Sequence, residues 1–196
     1  FAKLSFLNAS TPQELVSDSG LIRYLQADAQ KEVFRVLPVL EEIDYGAARA
    51  RDILAPNLSM IYSLSSVEGY NPMSPKTYSV FVKNFQNEYI DYEKDPGIIL
   101  FGPEGGFDYA LTDFLNVKYF VTKKEQKINR PMPIVYEDTK NVLYFNPTYY
   151  PRAFLVQDYV VSQDPDEILS ILKKQRENLR HFLVLAMLVA LTTGCT

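Results

Sequence analysis

The order of apolar and polar residues along the chain predicts short strands mixed with helices. Val117 to Val121 alternates as a strand does, while Tyr78, Val82 and Phe85 follow helical spacing. Five strands are predicted, at Phe34–Leu37, Val117–Val121, Ile134–Tyr136, Val142–Phe145 and Phe154–Val161. Four helices are predicted, at 12–28, 75–89, 107–115 and 165–178. We expect an α+β fold, a mixed β-sheet covered by several helices, in a single-domain fragment.

Residues suited to helix ends mark where two of these helices begin or stop. Ser10 or Thr11, followed by Pro12, forms a start signal for the first helix. Gly20 interrupts the apolar stripe of the same helix. Asn116 closes the helix predicted over 107–115.

The two ends of the chain do not match the pattern of the middle. Phe182 to Leu191 is a run of about ten apolar residues, half of the ~20 that cross a bilayer. We interpret it as a buried helix end or a truncated membrane segment. The start at Phe1 lacks the features of an intact signal peptide. We therefore expect a fragment of a longer protein, with an extracytoplasmic α+β domain over 1–178 and an apolar tail over 179–196.

Composition excludes several classes of site. The 196 residues include one Cys and one His, which argues against an internal disulfide, a cysteine-rich zinc module and a histidine metal cluster. The net charge of −4 disfavours binding to nucleic acid through phosphate contacts. We expect no metal, no cofactor and no nucleic-acid partner.

The loop Gly102-Pro103-Glu104-Gly105-Gly106 follows an apolar run, an arrangement common at phosphate and cofactor sites. The phrase resembles a loop that helps to bind S-adenosylmethionine in knotted methyltransferases acting on ribosomal RNA. The second cofactor loop of that family is absent. An S-adenosylmethionine-dependent RNA methyltransferase is therefore kept as a second alternative, beside a flexible surface turn.

Acid/base and nucleophilic chemistry have little support in the sequence. Asp108 and Asp113 are five residues apart and do not share a helix face well, so a helix start and loops explain the acidic pairs better. The only histidine, His181, lies in the tail, which argues against a Ser-His-Asp triad. Four tyrosines are candidates for stacking on sugar rings, although core packing is the commoner role: Tyr62, Tyr70, Tyr149 and Tyr150.

Four phrases occur together in a distinctive order. They are Phe34-Arg-Val-Leu-Pro38, Asn57-Leu-Ser-Met-Ile-Tyr continuing to Ser66-Val-Glu-Gly-Tyr-Asn-Pro72, Phe114-Leu-Asn-Val-Lys-Tyr-Phe-Val121, and Tyr144-Phe-Asn-Pro147 with Tyr150-Pro-Arg-Ala-Phe-Leu-Val156. Their order and spacing resemble the extracytoplasmic C-terminal region of the YfhO family, over roughly residues 34–171. These are bacterial polytopic membrane proteins related to glycosyltransferases of the membrane-embedded C class.

The resemblance implies a cell-membrane protein whose transmembrane bundle would be the partner of this domain. That bundle would transfer a sugar from a polyprenyl-phosphate donor to an envelope glycan or lipid. The family's catalytic carboxylate lies in a loop that has no counterpart here, so the resemblance implies no catalytic residue in this chain. It implies contact with the bundle, and with a lipid-linked sugar or envelope glycan.

Eight positions are the candidate contact residues: Gly69, Tyr70, Asn71, Pro72, Asn116, Lys118, Tyr119 and Arg152. The first four form an irregular turn with few charges, which we expect to face the bundle or substrate. Purely structural roles are also open. In these roles Asn116 caps a helix, Lys118 extends its ammonium to solvent at a strand edge, and Pro151-Arg152 fixes a turn. A free-standing glycan-binding or envelope scaffold module is the first alternative function.

Overall fold

The computed structural model describes residues 19–39, 54, 57–70, 98–99, 108–162, 164–175 and 178–186. The chain divides into two compact units, an N-terminal unit over Phe1–Arg152 and a C-terminal unit over Ala153–Thr196. The predicted helix over 75–89, the loop Gly102–Gly106 and the expected helix start at Ser10 to Pro12 lie outside the described residues.

A five-stranded mixed sheet forms the centre of the N-terminal unit. Its strands are β1 (Arg35–Pro38), β2 (Ser65–Ser66), β5 (Val117–Lys123), β6 (Ile134–Glu137) and β7 (Asn141–Phe145). Their spatial order is β2-β1-β5-β7-β6, with β1 parallel to both β2 and β5, and β7 antiparallel to both β5 and β6. A small antiparallel pair, β3 (Gly69–Tyr70) and β4 (Ile98–Ile99), belongs to the same unit. Together with the helices described in the next paragraphs, this arrangement confirms the predicted α+β class.

Helix α1 (Gly20–Ala29) packs on this sheet through its first turns. Ser19 caps the helix by accepting a hydrogen bond from the Ile22 amide at 3.2 Å. Gly20 therefore begins the helix and does not interrupt it. A Cβ atom at Gly20 would collide with the Tyr136 hydroxyl, so a larger residue here requires that side chain to shift. The apolar side chains of α1 that enter the core are fully buried: Leu21, Ile22 and Leu25.

The core lies between α1 and the central strands. β5 is the middle strand of the five, and its first six residues are all buried. Apolar side chains from β1, β5, β7 and the loops form one cluster with those of α1: Phe34, Val36, Leu54, Tyr62, Leu64, Tyr119, Val121 and Leu143. Burial of this surface is the main stabilising contribution to the unit.

Two shorter helices lie among the described residues of the N-terminal unit. α2 (Leu58–Ile61) precedes β2, and α3 (Tyr109–Phe114) leads into β5. Asp108 caps α3 by accepting from the amides of Ala110 and Leu111 at 3.1 and 3.4 Å. Asn116 follows α3 with φ of 62°, a left-handed conformation that ends helices and that asparagine tolerates. The prediction that Asn116 closes this helix is confirmed.

The C-terminal unit contains a parallel pair of strands, β8 (Asp158–Ser162) and β9 (Phe182–Ala186), joined through helix α4 (Pro165–Lys174). Two expectations are wrong here. The strand predicted over 154–161 is shorter and pairs with β9, not with the central sheet. The tail was predicted to be a helix end or membrane segment, yet its described part is a strand, because backbone pairing with β8 spans all five of its residues.

Candidate functional site

Lys118 occupies an irregularity in the pairing of β1 with β5. Arg35 pairs with Val117 and Val36 pairs with Tyr119, so Lys118 has no partner residue on β1. An extra residue of this kind is a β-bulge, which bends the strand and redirects side chains. Consecutive residues of a regular strand point to opposite faces, whereas Lys118 and Tyr119 both reach the same carboxylate, that of Asp28.

The ammonium of Lys118 is buried and held by two carboxylates. It donates hydrogen bonds to Asp28 Oδ2, in the last turn of α1, and to Glu32 Oε1, just beyond the helix. Only 6% of the Lys118 residue is exposed. A buried ammonium requires negative counter-charges that also accept its hydrogen bonds, because an unpaired buried charge costs several kcal/mol.

Three aromatic rings surround the same ammonium. Lys118 Nζ lies 5.1 Å from the ring centroid of Phe34, 5.3 Å from that of Tyr119 and 5.7 Å from that of Tyr149. These separations are within the range of cation–π attraction. The carboxylates and the rings together provide an environment that favours a permanent positive charge.

Two tyrosine hydroxyls complete the network. Tyr119 Oη donates to Asp28 Oδ2 at 2.8 Å, and Tyr149 Oη lies 3.0 and 2.9 Å from the two oxygens of Glu32. We call Asp28, Glu32, Lys118, Tyr119 and Tyr149 the Lys118 cluster. It joins the end of α1, the centre of the sheet and the loop after β7.

The cluster shifts the pKa values of Asp28 and Lys118 toward the charged, paired state. Burial alone would raise the pKa of the Asp28 carboxyl, but hydrogen bonds from Lys118 and Tyr119 outweigh it and hold that pKa below its ordinary value. Burial alone would lower the pKa of Lys118, but its bonds to the two carboxylates outweigh it and raise that pKa. Lys118 is therefore protonated at neutral pH and is not available as a nucleophile or general base.

A second polar cluster lies where α3 meets the end of β7, around Asn146, which is fully buried. Asn146 Nδ2 donates to Asp113 Oδ1 at 2.6 Å and to the Val117 carbonyl at 2.9 Å. Thr148 Oγ1 lies 2.7 Å from Asp113 Oδ2 and accepts from Arg130 Nη2 at 2.9 Å. These contacts form a structural clamp rather than a pair of reacting carboxylates, since Asp108 of the candidate pair caps α3.

Asn116 belongs to the same region. Its side chain is buried, and Nδ2 donates to the carbonyl of Tyr150 at 2.7 Å. The amide of Tyr150 donates in turn to the carbonyl of Asp113 at 2.9 Å. The segment after β7 is therefore fixed against α3 by main-chain and side-chain hydrogen bonds.

The structure brings some candidate residues together and separates others. Lys118 and Tyr119 are partners in one cluster, while Asn116 belongs to the other. The expectation that Lys118 extends to solvent at a strand edge is wrong, because β5 is the central strand and the side chain is buried. Arg152 is exposed.

The predicted irregular turn is described only in part. The backbone of Gly69 and Tyr70 forms β3, which pairs with Ile98–Ile99, and Asn71 and Pro72 lie outside the described residues. Of the other tyrosines proposed for sugar stacking, Tyr62 and Tyr150 are buried and Tyr149 is half-buried beside Glu32.

Sequence reasoning did not find Asp28 and Glu32. Their spacing of four residues at the end of a helix places both carboxylates on one side, and this was the available signal. It did not indicate Lys118 as the partner, because Lys118 follows Glu32 by 86 residues and reaches it only through the bulge.

Neither metal-site geometry nor a membrane span is found in the described part of the chain. Its histidine, cysteine and acidic side chains form no group of three or more that could hold a metal ion. None of the helices among these residues is both long enough and apolar enough to cross a bilayer.

No family model, no curated protein and no solved structure matches this chain. The resemblance to the YfhO family therefore stays a prediction.

Proposed function

We propose that this chain is a non-catalytic extracytoplasmic domain of a membrane-embedded glycosyltransferase of the C class. Its role is to hold a fixed surface beside the transmembrane bundle that transfers the sugar. The parent enzyme takes its sugar from a polyprenyl-phosphate donor and modifies an envelope glycan or lipid.

One observation supports a scaffold role above a catalytic one. Three buried polar side chains from the phrases that resemble the YfhO family donate hydrogen bonds to other residues of the domain. Lys118 bonds to Asp28 and Glu32, Asn116 to Tyr150, and Asn146 to Asp113. A catalytic group must instead reach the reacting atoms of a substrate.

The same contacts explain why these residue types occur in those phrases. A cation on the central strand and an amide at the end of β7 each fix the position of a loop against the sheet. Such clusters specify one arrangement of loops when their members are satisfied. The proposal therefore assigns these residues to shape, and leaves contact with the bundle to other segments of the chain.

A gene deletion with complementation tests the function. In cells that lack the parent gene, we expect loss of one sugar substituent from the envelope, measured by incorporation of radiolabelled sugar and by composition analysis. The intact gene restores it, and Gly69→Val lowers it at normal protein level. Val33→Ala, at an exposed side chain, is the matched control. Unchanged envelope sugars after deletion would contradict the proposal.

Location is tested separately in intact cells. After Cys195→Ser, a cysteine introduced by Arg152→Cys should react with a membrane-impermeant maleimide, because Arg152 is exposed. Val121→Cys, at a fully buried position, should react only after denaturation. Labelling of Arg152→Cys only in lysed cells would place the domain in the cytoplasm and reject the proposal.

A further inference from the structure

The Lys118 cluster connects three parts of the N-terminal unit that are distant in sequence. Asp28 and Glu32 lie at and just after the end of α1, Lys118 is on β5, and Tyr149 follows β7. The connection is electrostatic in the main, because it consists of one ammonium, two carboxylates and two phenols. Such a connection depends on the charge state of the carboxylates.

The two ends of α1 are attached to the sheet by different interactions. Leu21, Ile22 and Leu25, in the first turns, are fully buried and belong to the core. Asp28 is partly exposed and Glu32 is more so, with 16% and 42% of their side chains accessible. A change in charge therefore weakens the C-terminal end of α1 while the apolar contacts keep its beginning in place.

We propose that the Lys118 cluster is an acid-opened latch on the C-terminal end of α1. At neutral pH, Asp28 and Glu32 hold this end against β5. When acid protonates Asp28, Lys118 keeps its charge within the aromatic rings and loses this counter-charge. The end of α1 and Tyr149 then separate from the sheet, and water reaches the ammonium.

The other groups that face the cluster do not replace the lost charge. Lys31, just after α1, lies 3.6 Å from Asp28 and is itself a cation. Tyr119 on β5, Tyr149 after β7 and Tyr24 on α1, which packs against Tyr119, are neutral phenols in acid. Protonation of Asp28 therefore leaves Lys118 and Lys31 beside a neutral carboxyl, and the repulsion between these two cations favours opening.

The direction of the pH dependence follows from the pKa of Asp28. The pKa of its carboxyl is lower in the folded protein than its ordinary 3.8, because the bonds from Lys118 and Tyr119 outweigh burial. The stabilisation is complete above the unfolded pKa and is lost as pH falls through the folded one. Opening is thus expected below about pH 4 and not near neutrality.

Hydrogen exchange read by NMR tests the latch directly on the whole chain. Protection factors are compared at about pH 7 and about pH 3, after correction for intrinsic exchange. We expect the amides of residues 28–32 to lose about tenfold or more in protection relative to those of Val142 and Leu143 on β7. An equal loss of protection at residues 28–32 and on β7 would indicate global unfolding and would overturn the proposal. No loss of protection at residues 28–32 relative to β7 would also overturn it.

Two variants make the result specific to the cluster. Lys118→Met removes the buried cation and should abolish the relative loss in acid. The double variant Asp28→Asn with Glu32→Gln should show the open pattern already at neutral pH. A Lys118→Met protein that still loses protection selectively at residues 28–32 would reject the latch. These outcomes depend on no glycosylation assay, so they stand apart from the test of the proposed function.

Discussion

Asn146 Nδ2 donates to Asp113 Oδ1 at 2.6 Å, in a site where the Asn146 side chain has no exposure to solvent. The bond joins the end of β7 to α3, and a second bond from the same amide group reaches the Val117 carbonyl. One side chain thus fixes the relative position of a helix and two strands.

Asn146→Ala should destabilise the protein by roughly 2–4 kcal/mol, since it leaves a buried carboxylate and a buried carbonyl without their donor. Urea unfolding followed by circular dichroism measures the change. Pro147→Ala, at the exposed neighbouring residue, is the control and should cost much less. A loss below about 0.5 kcal/mol for Asn146→Ala would contradict the assigned role.

Asn116→Ala and Asn116→Gly form a matched pair at the end of α3. Both lose the hydrogen bond to the Tyr150 carbonyl, but only alanine is strained at φ of 62°. We expect both to destabilise, with alanine about 1 kcal/mol worse than glycine. Equal free energies of unfolding for the two variants would argue against the left-handed conformation.

The two carboxylates of the Lys118 cluster should contribute unequally to stability. Asp28→Asn should cost more than Glu32→Gln, because Asp28 is less exposed and accepts from both Lys118 and Tyr119. The order follows from the weaker screening of buried pairs. The free energies of unfolding of the two variants are compared in urea at neutral pH, in low and in high salt. Salt should reduce the Glu32→Gln effect more, and the reverse order would be inconsistent with this burial.

Gly20→Ala tests the contact between α1 and β6. Alanine favours helices by up to about 1 kcal/mol over glycine, but here its Cβ meets the Tyr136 hydroxyl, with the ring carbon Cζ at 3.4 Å. We expect Gly20→Ala to destabilise the parent chain and to become neutral or stabilising together with Tyr136→Phe. A double-mutant cycle measures the coupling, and additive free energies would show that the two residues do not meet.

Alkaline stability should depend on Tyr119. Burial and the bond to Asp28 raise the pKa of its phenol far above the ordinary 10.0. The folded state therefore holds the phenol proton of Tyr119 more tightly than the unfolded state. The contribution of this proton to stability is complete below about pH 10 and is lost as the pH rises further. Between about pH 8 and pH 11, the free energy of unfolding measured in urea should fall less steeply with pH for Tyr119→Phe than for the parent chain. Identical slopes would contradict the prediction.

Regular spacing explains which strands could be predicted. β1, β5, β6 and β7 have enough apolar or alternating residues to be located within a few positions. β2 has two residues, both serine, and pairs with β1 only because of long-range geometry. The run of apolar residues that contains β9 has no period that separates a strand from a helix, so its pairing with β8 was not predictable.

The sites were harder to predict than the fold. The left-handed Asn116 follows from local chemistry, since asparagine after an apolar helix is a common terminator. The role of Lys118 requires the bulge between β1 and β5, which no local pattern indicates. Asp28, Glu32 and Tyr149 become partners only when three distant segments fold together.

The pairing of β1 with β5 has a consequence for synthesis of the chain. The guanidinium of Arg35 donates to the carbonyl of Leu115, which is 80 residues later. While the ribosome makes the intervening residues, β1 has no neighbour on its β5 side, and closing such a long loop slows folding. The parallel pairing of β1 with β5 can form only after β5 has left the exit tunnel, so one edge of an apolar strand stays unpaired while these 80 residues are translated.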